Sequence, residues 1–451
     1  MRRDPLRKPS RTDAPGDTPR EIQRSLYRAA KQHPRRKFRQ LYQTMCRRDI
    51  LERAYDEVRA NKGAGGIDAV TIETIEQGEG RGPFLDRLRQ DLLAGKYHPI
   101  PVRRVYIPKA QGGQRPLGIP SIRDRVVQTA AKTVLEPIFE ADFLARSYGF
   151  RPKRNAIMAL EAIRKSANAG NWFVVDADVR AFFDHVTHWK LLYLIDQRVN
   201  DPRMRKTIQG FLEAGVLEGD TFSETDLGTP QGGPISPLMA NIYLNFLDRV
   251  WQAKGRHLGE MVRYADDLVI LCKTRQAAER ALELLKATLA RLDLEIHPDK
   301  TRIADLRDGS EGFDFLGFSH RRIPSWRKPG RAYLQRWPSK RAQKHIRQKI
   351  REATAPRSLL SLSLEDLVAR ILPMIRGWGA YFRWGNSANV FRKIDSYVTE
   401  RLVLFLRKKH RWSSRRRSRK ARTGVQSYLA RVEVPKLEGT IRYGTPATAA
   451  R

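Results

Sequence analysis

Asp266 and Asp267 stand side by side in "RYADDLVIL" (Arg263 to Leu271), a run otherwise apolar enough to be buried strand. A second acidic pair, Asp176 and Asp178, closes the apolar run of "NWFVVDADVRAFFDHV". In extended backbone, residues two apart share a face, so both of these carboxylates point the same way. Adjacent aspartates at a hairpin tip also have a plain explanation as turn residues, and neither pair is specific alone. Together they pose a charge problem. If the two segments are neighbours in one sheet, Asp178 and Asp266 converge, and unpaired carboxylates repel and raise one another's pKa. A divalent cation between them turns that repulsion into affinity. Mg²⁺ is typically held by one or two carboxylates plus substrate phosphates. Two such ions about 3.5–4 Å apart would activate a 3′-hydroxyl and stabilise a leaving pyrophosphate.

The elements that must position these groups are legible in outline. "VRRVYIP" and "QRPLGIP" read as two strands around the Gly-Gly turn of "KAQGGQ", a basic hairpin. A short strand, Trp172 to Val175, runs into the first acids. "MVRYADDLVILC" fits two short apolar strands joined at Ala265-Asp266-Asp267. Helical periodicity runs from Glu21 to about Arg59, over 84–94, and from Arg123 to Phe143, with "NKGAGGID" as a glycine-rich loop between the first two. This alternation predicts a mixed α/β sheet domain. After about residue 335 strand signals become sparse, and "AQKHIRQKIREA" and "NVFRKIDSYVTERLVLFLRKKH" read as helices with basic outer faces. Residues 1–20, polar and rich in proline and charge, are expected to be disordered.

Composition narrows the class. The chain has 451 residues, 41% hydrophobic, enough for two or three domains with a real core. Two cysteines, Cys46 and Cys272, exclude a disulfide framework and a four-thiolate zinc site. No apolar run approaches the roughly 18 residues of a membrane span, so no membrane partner is expected. The acids and prolines near the N-terminus argue against a mitochondrial presequence, leaving a reducing, cytoplasmic location as the expectation. The net charge of +37 is unevenly spread. Residues 1–48 hold 15 basic and 4 acidic side chains, and 321–451 hold 33 and 7, whereas 49–320 hold 38 of each sign. Basic flanks on a neutral centre predict polyanion-binding arms on a catalytic body. A ribosomal-type protein with basic tails fits the charge alone equally well.

In order along the chain, several blocks resemble the reverse transcriptase/maturase proteins encoded by bacterial group II introns. "NKGAGGIDAVTIE" is similar to the family's N-terminal extension, and "YIPKAQGGQRPLGIPSIRDRVVQ" to its fingers, followed by "SYGFRPKRNAIMAL". "DADVRAFFDHV", "GTPQGGPISPLMANIYLNFLD" and "RYADDLVIL" resemble the palm, closed by "LEIHPDKTRI" and "FDFLGF". "RGWGAYFRW" resembles the maturase, or thumb, helices. The resemblance implies a right-hand polymerase: fingers and palm, with an antiparallel palm sheet carrying the YADD hairpin, then an all-helical thumb. The implied division is a basic N-terminal segment over 1–40, fingers and palm over 41–334, thumb/maturase over 335–412, and a basic tail over 413–451.

Carried over position by position, the resemblance makes Asp178, Asp266 and Asp267 the catalytic trio. Asp178 and Asp266 would be the main ligands of two Mg²⁺ ions, with Asp267 beside them and the Val179 carbonyl assisting. Phe183 would sit under the nucleotide sugar, where its ring clashes with a 2′-hydroxyl; read alone, "AFF" is core packing. Lys109 and Arg115 would grip the triphosphate, although alone they are surface cations on a turn. Gln231 would lie beside the nascent base pair, and Lys300 would close the nucleotide pocket. Arg336, Lys340, Arg376, Trp378, Arg383, Arg415, Arg416 and Arg417 would contact RNA, since aromatics interleaved with arginine suit structured RNA. Trp378 and Trp384 have an equal claim to simple helix packing.

Ala69, Asn155 and Ile157 depart from the Gly, Ser and His the family often has there, none of them at the metal centre. No cysteine or histidine follows Trp412, so the zinc-dependent HNH endonuclease that ends some relatives is not expected. Site invasion would then depend on an existing primer such as a replication fork. The implied partners are intron RNA in a lariat ribonucleoprotein, a DNA target or primer, and dNTPs, with the protein nucleoid-associated when on DNA. Two other readings stay open: a reverse transcriptase of another bacterial element (retron, defence or domesticated repair enzyme), and an RNA-binding splicing cofactor with a vestigial polymerase. An RNA-templated RNA polymerase would call for a small residue in place of Phe183.

Overall fold

The computed structural model describes residues 18–108, 113–219, 221–224, 227–229, 232–325, 328–411, 434 and 436–442. The expected disorder of residues 1–20 falls almost wholly outside these, as do Lys109, Gln231, Trp326, Trp412, Arg415, Arg416, Arg417 and nearly all of the basic tail.

Among the described residues, five helices come first: α1 (Pro19–Gln32), α2 (Leu41–Met45), α3 (Arg48–Ala60), α4 (Ile72–Gln77) and α5 (Arg81–Leu93). The hairpin β1 (Val102–Pro108) and β2 (Gln114–Ile119) precedes α6 (Ile122–Glu140) and α7 (Ala156–Asn168). Strand β3 (Phe173–Asp178), helices α8 (His188–Asp196) and α9 (Pro202–Glu213), strands β4 (Val216–Glu218) and β5 (Thr221–Ser223), and helix α10 (Ser236–Val250) follow. Strands β6 (Gly259–Tyr264) and β7 (Asp267–Cys272) lead through α11 (Arg275–Ala290) to β8 (Arg302–Asp305), β9 (Gly312–Phe315), β10 (Phe318–Pro324) and β11 (Ala332–Pro338). The chain continues in α12 (Lys340–Thr354), α13 (Leu364–Phe382) and α14 (Ala388–Lys409). Among the described residues, no helix is long and apolar enough to cross a membrane.

Two compact units result. The first comprises residues 1–155, 177–270 and 276–302; the second, 156–176, 271–275 and 303–451. Helix α6 is the spine of the first. Ser121 Oγ accepts from the Asp124 amide at 3.0 Å and so satisfies an orphan donor at its start. The apolar side chains of α6 are buried almost all round, and α1 and α3 pack on it. Asp124, 2% exposed, accepts from the Tyr97 hydroxyl at 2.7 Å and from Ser121 Oγ at 2.8 Å. Burial still holds its carboxyl above the usual range.

The palm sheet has the order β6-β7-β3-β8 and is antiparallel. A second sheet, β2-β1-β4-β5, carries the basic hairpin, in which Ile107 faces Arg115.

In the second unit the antiparallel sheet β11-β10-β9 precedes three helices. Helix α12 shows why a strongly basic segment still folds. Ile346, Ile350 and Thr354 recur every fourth residue and form its one buried stripe, each isoleucine contributing about 1.5–3 kcal/mol, while the cations stay outside.

Three local expectations need correction. The continuous helical pattern over 21–59 is broken into α1, α2 and α3, because Phe38 pairs with Val199 in a parallel bridge and Gln40 takes a left-handed conformation. Strand β3 does not stop at Val175 but carries its acids within the sheet to Asp178. Asp267 is the first residue of β7, so the hairpin turn itself is Ala265-Asp266.

Candidate active site

Asp178 ends β3 and Asp267 begins β7, and these strands are neighbours in the antiparallel sheet. Antiparallel neighbours bring the end of one strand and the start of the other to the same edge. Asp178 and Asp266 are half-buried, Asp267 exposed.

Among the described residues, no three His, Cys, Asp or Glu side chains form a ready cage for a metal ion. The donors that the family resemblance assigns to the ion are carboxylate oxygens of Asp178, Asp266 and Asp267 and the Val179 carbonyl. They are the hard oxygen set that Mg²⁺ takes when water and substrate phosphates complete its shell. By donor chemistry, the residues fit the ion.

The hairpin tip is held from behind by a residue to which the sequence reading gave no role. Arg263 is fully buried. Its Nε donates to Asp248 Oδ1 at 2.9 Å, and Nη2 donates to the other carboxylate oxygen. Nη1 donates to Asn241 Oδ1 at 3.0 Å and to the Ala265 carbonyl at 2.9 Å. That carbonyl immediately precedes Asp266, and Ala265 sits in the left-handed region at φ 57°. Asn241 also donates to the Gly149 carbonyl at 2.9 Å. Gly149 has to be glycine, since a Cβ there would collide with the Ala265 amide. Helix α10 and the "SYGF" turn thus fix the tip. The signal was visible: a cation next to the apolar Met261-Val262 pair of β6, with Asp248 fifteen residues upstream.

A parallel set of contacts steadies Asp178. Its carbonyl accepts from the His297 amide at 2.7 Å, Val179 bridges Ile296, and the Arg180 amide donates to the Glu295 carbonyl at 2.9 Å. Lys300, on the same turn, brings Nζ to 2.9 Å from Asp178 Oδ2.

Phe183 is half-buried, edge-on to Phe182 with ring centroids 5.1 Å apart. Its carbonyl accepts from the Thr229 amide at 2.8 Å, which ties it to the start of the "TPQGG" loop. Across Gln231, Gly232 presses against β2: at φ 124°, a Cβ on it would lie 2.6 Å from the Gly118 carbonyl oxygen. Arg115 lies on β2, with its side chain outside the described atoms.

The residues expected to contact RNA divide. Lys340 and Arg376 are exposed on α12 and α13. Arg383 stacks over Trp384 at 5.3 Å. Trp378 is half-buried against Phe382 and Phe391, at centroid distances of 4.7 and 5.7 Å, so packing is its evident work. Arg336 corrects the expectation. It is 6% exposed, and it donates to the Trp384 carbonyl through Nε at 3.1 Å and Nη2 at 2.9 Å, with Glu161 3.6 Å from Nη1. Its donors face inward and are not offered to a phosphate. An open groove lined by Lys344, Arg347, Arg351 and Tyr397, with Arg347 over the Tyr397 ring at 5.7 Å, was not anticipated.

Comparison with known proteins gives two family matches. Residues 107–320 match the family described as reverse transcriptase (RNA-dependent DNA polymerase), and 343–424 match the group II intron maturase-specific domain. Protein YkfC of Escherichia coli K12 is 34% identical over 67% of this chain and 88% of its own length. Group II intron-encoded protein LtrA of Lactococcus lactis subsp. cremoris is 40% identical over 47% of this chain and 35% of its own. An uncharacterized 91 kDa protein in the cob intron of Schizosaccharomyces pombe is 36% identical over 47% of this chain and 26% of its own. This chain therefore spans about a third of LtrA and most of YkfC. Among solved structures, a chain of a partial Cas6-RT-Cas1–Cas2 complex aligns with a TM-score of 0.34 at 25% identity, over 55% of this chain and 42% of that one, too loosely to bear on the fold.

Proposed function

This chain belongs to the group II intron-encoded reverse transcriptase and maturase family, and from that premise we propose that it extends DNA on an RNA template at the rim formed by Asp178, Asp266 and Asp267. The reading rests on one observation above the others: the strands bearing Asp178 and Asp267 are neighbours in an antiparallel sheet, with Asp266 in the adjoining turn. Two Mg²⁺ ions, held by the carboxylates and the Val179 carbonyl, would supply an activated 3′-hydroxyl and charge neutralisation at the leaving pyrophosphate. The protein's own residues do the positioning. Arg263 fixes the peptide before Asp266, Phe183 crowds the sugar edge, and Lys109, Arg115 and Lys300 supply cations for the triphosphate. Gln231 is assigned to the nascent pair, and the next residue, Gly232, packs against β2.

We assign fingers and palm to 41–334 and thumb/maturase to 335–412, with basic segments over 1–40 and 413–451. The exposed cations of α12 and the groove beside Tyr397 support intron RNA as the second ligand, alongside a DNA primer or target; the site of action we propose is cytoplasmic. Contacts of this kind neutralise phosphates without reading sequence. If roughly six to ten are engaged, affinity for the RNA falls on the order of 10³–10⁵-fold between 50 and 200 mM salt.

Primer extension on an RNA template with dNTPs tests the enzyme reading. The parent chain extends the primer, and Asp266→Ala does not. A parent chain that binds intron RNA and promotes splicing, yet never extends a primer, overturns polymerisation in favour of a splicing cofactor.

A further inference from the structure

Lys300 meets Asp178 directly, its Nζ 2.9 Å from Oδ2, with side-chain exposures of 53% and 37%. The turn that carries the lysine is built into the fold. The amide of His297 donates to the Asp178 carbonyl at 2.7 Å, and the amides of Lys300 and Thr301 return to the His297 carbonyl at 3.3 and 3.1 Å. The turn carrying the lysine is therefore anchored on the backbone of the very aspartate it pairs with. Arg180, the first cation after β3, turns elsewhere, with its Nη1 4.0 Å from Glu295.

We propose that Lys300 is a resident counter-cation for Asp178: it occupies a carboxylate oxygen that the metal needs, and it is released when a nucleotide triphosphate offers it another anion. The inference rests on the reading of Asp178 as a metal ligand. An ammonium in contact with Oδ2 neutralises that oxygen and fills the space a cation would take. Metal entry must break the contact, and the ion pair is exposed enough to exchange readily. Pairs of this exposure are weak, so the opposition is modest, about two- to fivefold in metal affinity. A bound triphosphate reverses the sign, because Lys300 then gains a phosphate partner in the state where the metal holds Asp178. The lysine thereby couples the two ligands: each is bound better when the other is present, and by the same factor.

The test is Mn²⁺ binding to the full-length chain, followed by electron paramagnetic resonance at fixed ionic strength, with and without a non-hydrolysable dNTP. Lys300→Gln tightens Mn²⁺ about two- to fivefold without nucleotide, and that gain disappears or reverses with nucleotide. Lys300→Arg keeps the parent pattern. Arg180→Gln, which removes a charge nearby but no contact with Asp178, changes affinity less than twofold. Equal Mn²⁺ affinity of Lys300→Gln and parent without nucleotide overturns the counter-cation role and leaves the metal site standing. If Asp178→Asn binds Mn²⁺ as the parent does, the site reading falls, and this inference with it.

Discussion

Replacing Arg263 by methionine probes how the YADD tip is held. The guanidinium reaches both oxygens of Asp248, Asn241 Oδ1 and the Ala265 carbonyl. The side chains of Arg263 and Asp248 are 0% and 4% exposed. Methionine fills much of the volume but leaves the Asp248 carboxylate buried without its cation. Breaking such a pair from one side costs about 3–5 kcal/mol. At about 1.4 kcal/mol per tenfold, the opened hairpin becomes roughly 10²- to 4 × 10³-fold more populated. Hydrogen exchange of the β6 and β7 amides, read by mass spectrometry, reports that population. Arg263→Met accelerates exchange across 259–272, whereas Arg263→Met with Asp248→Leu recovers at least tenfold of the loss, because no charge is then stranded. If exchange in Arg263→Met stays within about threefold of the parent, the ion pair does not hold the tip and the reasoning is wrong.

Two further perturbations have defined outcomes. Phe183→Ala opens the sugar edge, and relative incorporation of ribonucleotides in primer extension rises about 10- to 200-fold, the range expected for steric discrimination in a pocket; unchanged selectivity removes Phe183 from the sugar site. His320 is fully buried on Phe313, ring centroids 4.7 Å apart, and burial together with the nearby Arg336 cation pushes its pKa down to about 3. Because the unfolded imidazole takes up its proton near 6.5, stability is fully present above that pH. It is lost at up to about 1.4 kcal/mol per unit as pH falls from 6.5 toward about 3. Acid unfolding of His320→Phe, which keeps an aromatic stack without a titratable group, lacks this slope; an identical slope in both proteins contradicts the assignment.

What the sequence made legible follows physical locality. The hairpin over 102–119 announced itself through apolar runs flanking Gly-Gly, and α6 through its helical periodicity from Arg123 onward. Strand β3 was read too short because aspartates count against strand, yet the sheet tolerates them at its edge. The break between α1 and α3 was hidden because its cause, the Phe38–Val199 bridge, lies 161 positions away in the chain. Arg336 misled for a related reason. In sequence it is one cation among many in a basic region, and only the approach of Glu161 and Trp384 turns it inward. Lys300 was read as a nucleotide contact, and its pairing with Asp178 depended on a turn whose anchoring no local pattern records.

The central claim is that segments 88 residues apart, at Asp178 and Asp266, serve one metal site. Fe²⁺ substituted for Mg²⁺ generates hydroxyl radicals where it is bound and cuts the nearest backbone, so mapping those cuts on the full chain locates the ion. The account predicts paired cleavage, at 176–180 and at 264–268, both lost in Asp178→Asn. Cleavage confined to one segment, or cuts at both that survive that substitution, would contradict it.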